Sequence, residues 1–366
     1  MSVAIPISTS VDLLNQLVTA VVTHGGSDLH LRTGAPPFMR AGGQLIRLEC
    51  PPLSAATVQE VIRLTVGDTP VPAGASSFEY SYEQANTARF RVHAFRERAQ
   101  LGVCLRAIPF RVPAFQELRL PPVVKALATA EPGLVLVTGA TGSGKSTTLA
   151  SMLHHMAAQE TLHILTLEDP VEYRFQGTRS CVTQRELGRD VPTFREGLQA
   201  ALREDPDVMF IGEIRDTETL EVVMHAAESG HAVFSTFHTG SALKTVQRII
   251  GMHAPVEQPA VRARLADCLR GSISQLLLQR RGLRQRVLAT EVLVNNYRIK
   301  EAIRDPQKVS GIPQVLEKSN EQLMHTFDQS LMALVREGLV AADHAALHAA
   351  SPTDFRRSLT LAGVQE

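Results

Sequence analysis

The spacing of apolar residues changes character part-way along this chain. Residues 11–22, VDLLNQLVTAVV, carry apolar side chains at helical spacing, and the pair Gly25-Gly26 stops the run. Short strand-like pieces follow at Leu29–Leu31 and Leu45–Arg47, separated by glycine and proline. Between residues 78 and 108 the runs FEYSYE, RFRVHAF and LGVCLRAI alternate apolar and polar positions, which predicts adjacent strands of one sheet. From residue 133 the runs become solidly apolar: Leu134–Thr138, His163–Leu167, Val208–Ile211 and Ala232–Thr236. Helical stretches such as 193–203 and 217–228 lie between them. That alternation predicts a mainly parallel sheet covered by helices. Beyond about 255 the chain reads mostly helical, with one strand-like piece at 287–294.

These patterns divide the chain. The expectation is an α/β protein with a small α+β domain over 1–112, a linker over 113–122 and a larger α/β domain over 123–366 with a helical C-terminal region. Pro109, Pro113, Pro121 and Pro122 crowd the junction. Proline lacks a backbone donor and has a fixed φ, so this stretch reads as a hinge. The length of 366 residues supports two cores. Lys plus Arg equals Asp plus Glu, at 37 each, a balance that argues against a nucleic-acid binder. Cys50, Cys104, Cys181 and Cys268 form no CxxC pair. They read as small buried hydrophobes in a reducing compartment rather than a zinc knuckle. No Lys or Arg precedes Arg32, so the basic region of a signal peptide is missing. No apolar run approaches the roughly 20 residues that span a bilayer. A cytosolic protein is expected, meeting membranes only through a partner.

Candidate chemistry begins at Gly139-Ala140-Thr141-Gly142-Ser143-Gly144-Lys145-Ser146, which matches G-x-x-x-x-G-K-[ST] throughout. An apolar strand precedes it and helix-prone Thr147–Ala158 follows. The glycines let the backbone curl so that N–H groups face phosphate oxygens, and the helix N-terminus adds partial positive charge. Lys145 should reach the β and γ phosphates of ATP, and Ser146 should ligate Mg²⁺.

Val208–Ile211 ends in Gly212-Glu213. Many P-loop enzymes place an Asp directly after such a strand; here glycine takes that position and the acid comes one later. Glu213 then lies at the C-terminal sheet edge, where ligands bind, and could orient or deprotonate an attacking water. Glu168, in Leu167-Glu168-Asp169-Pro170, ends another strand at the same edge. An ordinary polar strand end or helix cap is the plainer reading of either acid. His231 and His238 flank the apolar strand within Gly230–Thr239. His238 falls near the γ-phosphate edge, while His231 by itself reads as a structural residue. His154-His155 lack a third ligand at metal spacing. Arg89, Arg91 and Arg106 lie on strands of the first domain, where exposed arginines are common. Arg280, Arg281, Arg284 and Arg286 read as a basic loop after a helix, either a solvated turn or an anionic contact.

Taken in order, GATGSGKST at 139–147, HILTLEDPVE at 163–172, VMFIGEIRD at 208–216 and GHAVFSTFHT at 230–239 resemble the boxes of the secretion-superfamily ATPases, and within them the PilT-type twitching-motility family. SDLHL at 27–31, GAPP at 34–37 and ARFRVHAF at 88–95 extend the resemblance into the first domain. It implies a PAS-like N-terminal domain, a RecA-like P-loop domain and a ring of six subunits that hydrolyses ATP to retract type IV pili. It implies Glu213 as the catalytic glutamate and Glu168 as the acidic-box glutamate. His231 and His238 would be the histidine-box pair, with His231 on the nucleotide side, and Arg91 and Arg106 would close on the γ-phosphate. Thr141 to Thr147 (Thr141, Gly142, Ser143, Gly144, Lys145, Ser146, Thr147) would bind the nucleotide. Implied partners are further copies of the chain, an inner-membrane platform protein and a sister retraction ATPase; no nucleic acid is expected. The four-cysteine zinc motif of extension-type relatives is missing. Arg298-Ile299-Lys300-Glu301-Ala302-Ile303-Arg304-Asp305 stands where retraction ATPases carry A-I-R-N-L-I-R-E, with Arg298 the sharpest departure. An accessory paralogue, an assembly or secretion ATPase, a poorly hydrolysing scaffold and a DNA translocase remain as alternative functions.

Overall fold

The computed structural model describes residues 9–67, 74–84, 88–108, 111–175, 178–283, 285–319 and 323–363. Pro109 of the expected hinge and Arg284 of the basic loop lie outside them. The chain forms two compact units. One comprises Met1–Arg111 with Asp169–Arg174 and Glu186–Pro192, and the other comprises Val112–Glu168, Phe175–Arg185 and Thr193–Glu366.

The first unit is built from α1 (Ser10–Thr23), β1 (Gly26–Arg32), β2 (Phe38–Ala41), β3 (Gln44–Arg47), α2 (Ala55–Val66), β4 (Ser77–Gln84), β5 (Ala88–Glu97) and β6 (Gln100–Ile108). Thr9 caps α1 by accepting the Asp12 amide, and Gly25, at φ +62°, turns the chain out of it. Gly26 is already the first residue of β1, so only one glycine serves as the stop. Among the described residues the strands form an antiparallel sheet in the order β3-β2-β1-β6-β5-β4. The alternating runs therefore do become neighbouring strands. Leu29, Leu31, Met39, Phe90, Val92 and Leu105 face α1 and α2 in one core. α2 and β2 escape the sequence pattern. α2 buries only Val58, Val61 and Thr65, too few apolar positions to stand out from its surroundings.

The second unit opens with α3 (Phe115–Leu118) and α4 (Pro122–Leu127), so helical turns occupy part of the proline-rich segment. Pro121 and Pro122 sit at the N-cap and first turn of α4, where a missing N–H costs nothing. Next come β7 (Gly133–Gly139), α5 (Lys145–Gln159), β8 (His163–Glu168), β9 (Cys181–Glu186), α6 (Phe194–Ala201), β10 (Val208–Ile211), α7 (Thr217–Glu228), β11 (Ala232–Phe237), α8 (Ala242–Gly251) and α9 (Gln258–Cys268). The unit ends with β12 (Leu269–Gln279), β13 (Arg286–Val294), α10 (Tyr297–Arg304), α11 (Ile312–Glu317), α12 (Phe327–Arg336), α13 (Ala342–Ala346) and α14 (Pro352–Leu361). The sheet order is β13-β12-β7-β11-β10-β8-β9, and β12, β7, β11, β10 and β8 run parallel. Every residue of β7, β10 and β11 is buried, as expected of strands covered on both faces.

Three expectations are corrected here. The region after 255 begins with α9 but does not stay helical, because Leu269–Gln279 is a long strand pairing with both β7 and β13. Its run of Ser, Ile and Leu has no decisive period, and only the vacant edge of β7 selects the strand. The basic loop at 280–286 consequently follows a strand, not a helix. In addition, Cys181 is exposed on β9, unlike buried Cys50 and Cys268. Among the described residues no helix is long and apolar enough to cross a membrane.

Candidate active site

Parallel strands bring their C-terminal ends to one edge. The loop after β7, Glu168 at the end of β8, Glu213 after β10 and His238 after β11 all emerge there. Brought together by sheet order, they form the chemical edge of the second unit.

The loop from Gly139 to Gly144 is shaped by its glycines. A Cβ on Gly139 would lie 2.5 Å from Ser143 Oγ and 2.6 Å from the Gln275 carbonyl oxygen. Gly142 and Gly144 hold φ values of +78° and +92°, which L side chains rarely adopt. Gly144 is the N-cap of α5, so the free amides of the first turn of α5 face the loop. Lys145 is buried, and its Nζ donates to the carbonyl oxygens of Gly139 and Ala140 at 2.9 and 3.1 Å. The ammonium is thus held inside the loop's curl. Thr141 and Gly142 are exposed, while Ser146 and Thr147 are half-buried at the start of α5.

The two carboxylates differ in setting. Glu168 is buried and accepts hydrogen bonds from Thr166 Oγ1 at 2.8 Å and Gln184 Nε2 at 3.1 Å. Glu213 is more open, with its side chain 24% exposed, and lies between His238 Nε2 at 2.9 Å and Arg215 Nη2 at 3.1 Å. A carboxylate flanked by an imidazole and a guanidinium, yet still open to solvent, is suited to hold a water and take its proton. Glu168, buried and bonded to Thr166 and Gln184, is suited to shape the edge.

His231 is not brought to this edge. It precedes β11, and its Nδ1 lies 3.1 Å from both Ser229 Oγ and the Ala226 carbonyl. Its own carbonyl accepts the Gly133 amide at the start of β7. Six strand residues at about 3.3 Å each separate it from the phosphate-loop edge by roughly 20 Å within the chain. His154 and His155 pack against Phe175 and Phe115 respectively.

Arg91 and Arg106 belong to the first unit, directly opposite one another on β5 and β6. Arg91 Nη2 donates to the Asp169 carbonyl at 2.6 Å and its Nε lies 3.6 Å from Glu79. Arg106 Nε is 2.8 Å from Asp28. Burial alone would raise the Asp28 carboxyl, but hydrogen bonds from Arg106 and Ser27 and the nearby positive charge carry it below its usual value. Arg89, by contrast, is buried beside Glu186 at 3.7 Å and serves the interior of the unit.

A family model for type II/IV secretion system proteins matches residues 7–340. The chain belongs to the type II/IV secretion system protein family. Across 344 residues, 93% of this chain and 99% of the relative, it is 39% identical to the type IV pilus retraction ATPase PilT of Pseudomonas aeruginosa. It is 35% identical to the type IV pilus ATPase PilU of the same organism, covering 94% of this chain and 91% of that one. The crystal structure of the pilus retraction motor PilT with bound ADP superposes with a TM-score of 0.86 at 38% identity, covering 93% of this chain and 98% of that one. The parallel-sheet unit is therefore the P-loop ATPase fold, and the chain is a secretion-family ATPase.

The structure of this secretion ATPase adds residues that the motifs did not single out. Gln184 on β9 reaches Glu168, although nothing local to its run CVTQRE announces that contact. Arg286, the first residue of β13, has its Nη1 3.5 Å from the Gly142 carbonyl oxygen. Leu277 Cδ1 would lie 3.8 Å from a Cβ on Gly144. The adjoining ends of β12 and β13 thus border the loop on the side away from Glu213. The basic cluster was visible in the sequence; reading β12 as helix concealed where it goes.

Proposed function

We propose that this secretion ATPase is a motor that couples ATP hydrolysis to retraction of type IV pili, working as a ring of six copies. The observation that carries the reading is the Glu213–His238 contact at 2.9 Å on the same sheet edge as a complete phosphate loop. Likeness to a retraction ATPase over 93% of the chain supports the pilus as the load.

The nucleotide is ATP, held by the amides of residues 141–147 and by Lys145. Among the described residues no group of His, Cys, Asp or Glu forms a metal cage. A magnesium ion fits all the same, because Mg²⁺ commonly takes one protein hydroxyl plus substrate phosphates. Ser146 would hold it, and when bound the ion neutralises phosphate charge. Glu213 orients the attacking water and accepts its proton, with His238 fixing the carboxylate. Glu168 keeps the neighbouring strand end in register. Arg91 and Arg106 answer to the γ-phosphate within the ring, and its loss lets them release. The β12–β13 turn flanks the nucleoside. Outside the ring, the partner is a membrane platform protein that holds this cytoplasmic chain at the inner membrane, and a sister ATPase works beside it.

Glu213→Gln should lower kcat by about a hundredfold or more while ATP still binds, as read by Mg-ATP turnover and nucleotide titration. Cells whose only copy carries Glu213→Gln should accumulate surface pili and lose twitching. Bald cells would indicate an assembly motor, and unchanged pili an accessory role beside a sister motor.

A further inference from the structure

Glu291 is a buried carboxylate to which the hydrolysis reading assigns no task. It sits on β13, 8% exposed, well away from solvent. It accepts the Ala242 amide at 2.7 Å, and the Phe327 amide lies close enough to favour its charged form. Ala242 is the first residue of α8, and Phe327 is the first residue of α12. Both amides are among those a helix leaves unpaired at its start. The caps Ser241 and Thr326 serve other amides, those of Lys244 and Gln329. One carboxylate thus completes the start of α8 and faces two positive helix ends. Burial, and the Asp328 charge nearby, push its carboxyl above the usual range, while the two amides pull it back. Such a group is costly to bury, and a hydrophobic side chain would fill the space at less cost.

What α8 carries suggests the reason. Only Thr239 and Gly240 separate His238 from the cap Ser241. Thr239 Oγ1 is 2.6 Å from Thr245 Oγ1 one turn into α8, so the histidine segment is tied to the helix at both ends. His238 in turn holds Glu213 at 2.9 Å. A shift of the α8 start would therefore move the imidazole that fixes Glu213. α12, tied to the same strand because the Thr290 amide donates to Ser330 Oγ at 3.1 Å, packs its Leu331, Leu334 and Val335 into the C-terminal helical core with Leu278, Val287 and Ala289.

We propose that Glu291 is a positioning residue for hydrolysis: by fixing the N-terminus of α8 against α12 it sets His238, and through His238 the orientation of Glu213. The proposal rests on the role given to Glu213 and His238 above. It adds a coupling between the catalytic edge and the C-terminal helices that neither residue supplies by itself.

The test is steady-state Mg-ATP turnover of the full chain. Glu291→Gln keeps the volume but turns an NH₂ toward one of the two amides. It should lower kcat about tenfold, as expected when a catalytic group is displaced by a fraction of an ångström, and leave KM nearly unchanged. Ala242→Pro is a second route to the same defect. Proline is tolerated at the first helical position but removes the N–H that Glu291 accepts. Ser241 is already extended, at φ −164° and ψ 162°, as a residue before proline should be. The deciding measurement is the double variant Glu291→Gln with His238→Ala, which should be no slower than His238→Ala alone. Losses that multiply, or a wild-type kcat in both Glu291→Gln and Ala242→Pro, overturn the proposal; if Glu291→Gln does not fold, Ala242→Pro decides alone. Wild-type turnover by Glu213→Gln or His238→Ala would overturn the hydrolysis reading and this proposal with it. Slow turnover in those two beside normal turnover in the Glu291 and Ala242 variants overturns the proposal alone.

Discussion

The two sheets of this protein solve the same burial problem in opposite ways. In the first unit the antiparallel strands alternate: Phe90, Val92 and Ala94 of β5 are buried while Arg91, His93 and Phe95 are not. Polar chemistry spreads over a sheet face, where cross-strand neighbours such as Arg91 and Arg106 meet. In the second unit β7, β10 and β11 are buried throughout, and the polar side chains they carry, Thr138, Ser235 and Thr236, are spent on internal hydrogen bonds. Chemistry is forced to the strand ends, and parallel order gathers those ends on one edge. An open face tolerates substitution and movement, whereas a closed parallel sheet gives a rigid platform for Glu213 and His238.

The contrast can be broken most severely in the closed sheet. Phe234 on β11 is 0% exposed. Phe234→Ala should cost about 3–5 kcal/mol through lost burial and the cavity left behind, and calorimetry should show the transition of the second unit falling. A smaller effect is expected in the open sheet at acid pH. The Asp28 carboxyl is held below its ordinary 3.8, so its contribution is complete above that value and is lost as pH falls through the lower folded value. Because Arg106 is solvent-exposed, the loss should stay below about 1 kcal/mol. Urea midpoints of wild type should drop from pH 5 to pH 3 more than those of Asp28→Asn; parallel curves would deny the pair any stabilising role. Smallest of all should be His93→Ala on the open face of β5, within about 0.5 kcal/mol of wild type. A loss as large as that of Phe234→Ala would mean that this face is not open in the assembled protein.

Much of this was legible from residue order. The helix at 11–22, the alternating runs of the first unit and the apolar strands before each motif all rest on local period, which neighbours in sequence decide. The phosphate loop was legible because its glycines answer to backbone geometry at fixed offsets. β12 was not, since its apolar run suits a buried helix and a buried strand equally well, and pairing with β7 made the choice. Local sequence set His231 and His238 at opposite ends of one strand, but it could not name their partners, Ser229 and Ala226 for one and Glu213 for the other.

By itself the sequence determined which residues could do chemistry, that a phosphate loop follows a strand and precedes a helix, and that two differently built sheets share the chain. Each of these depends on interactions within a few residues. Tertiary structure alone decided that Glu213 meets His238, that Gln184 meets Glu168, that Arg286 borders the loop and that Glu291 spans two helix starts. These contacts depend on strand order and helix packing, which join residues far apart in the chain, and no local spacing encodes which distant partner will be there.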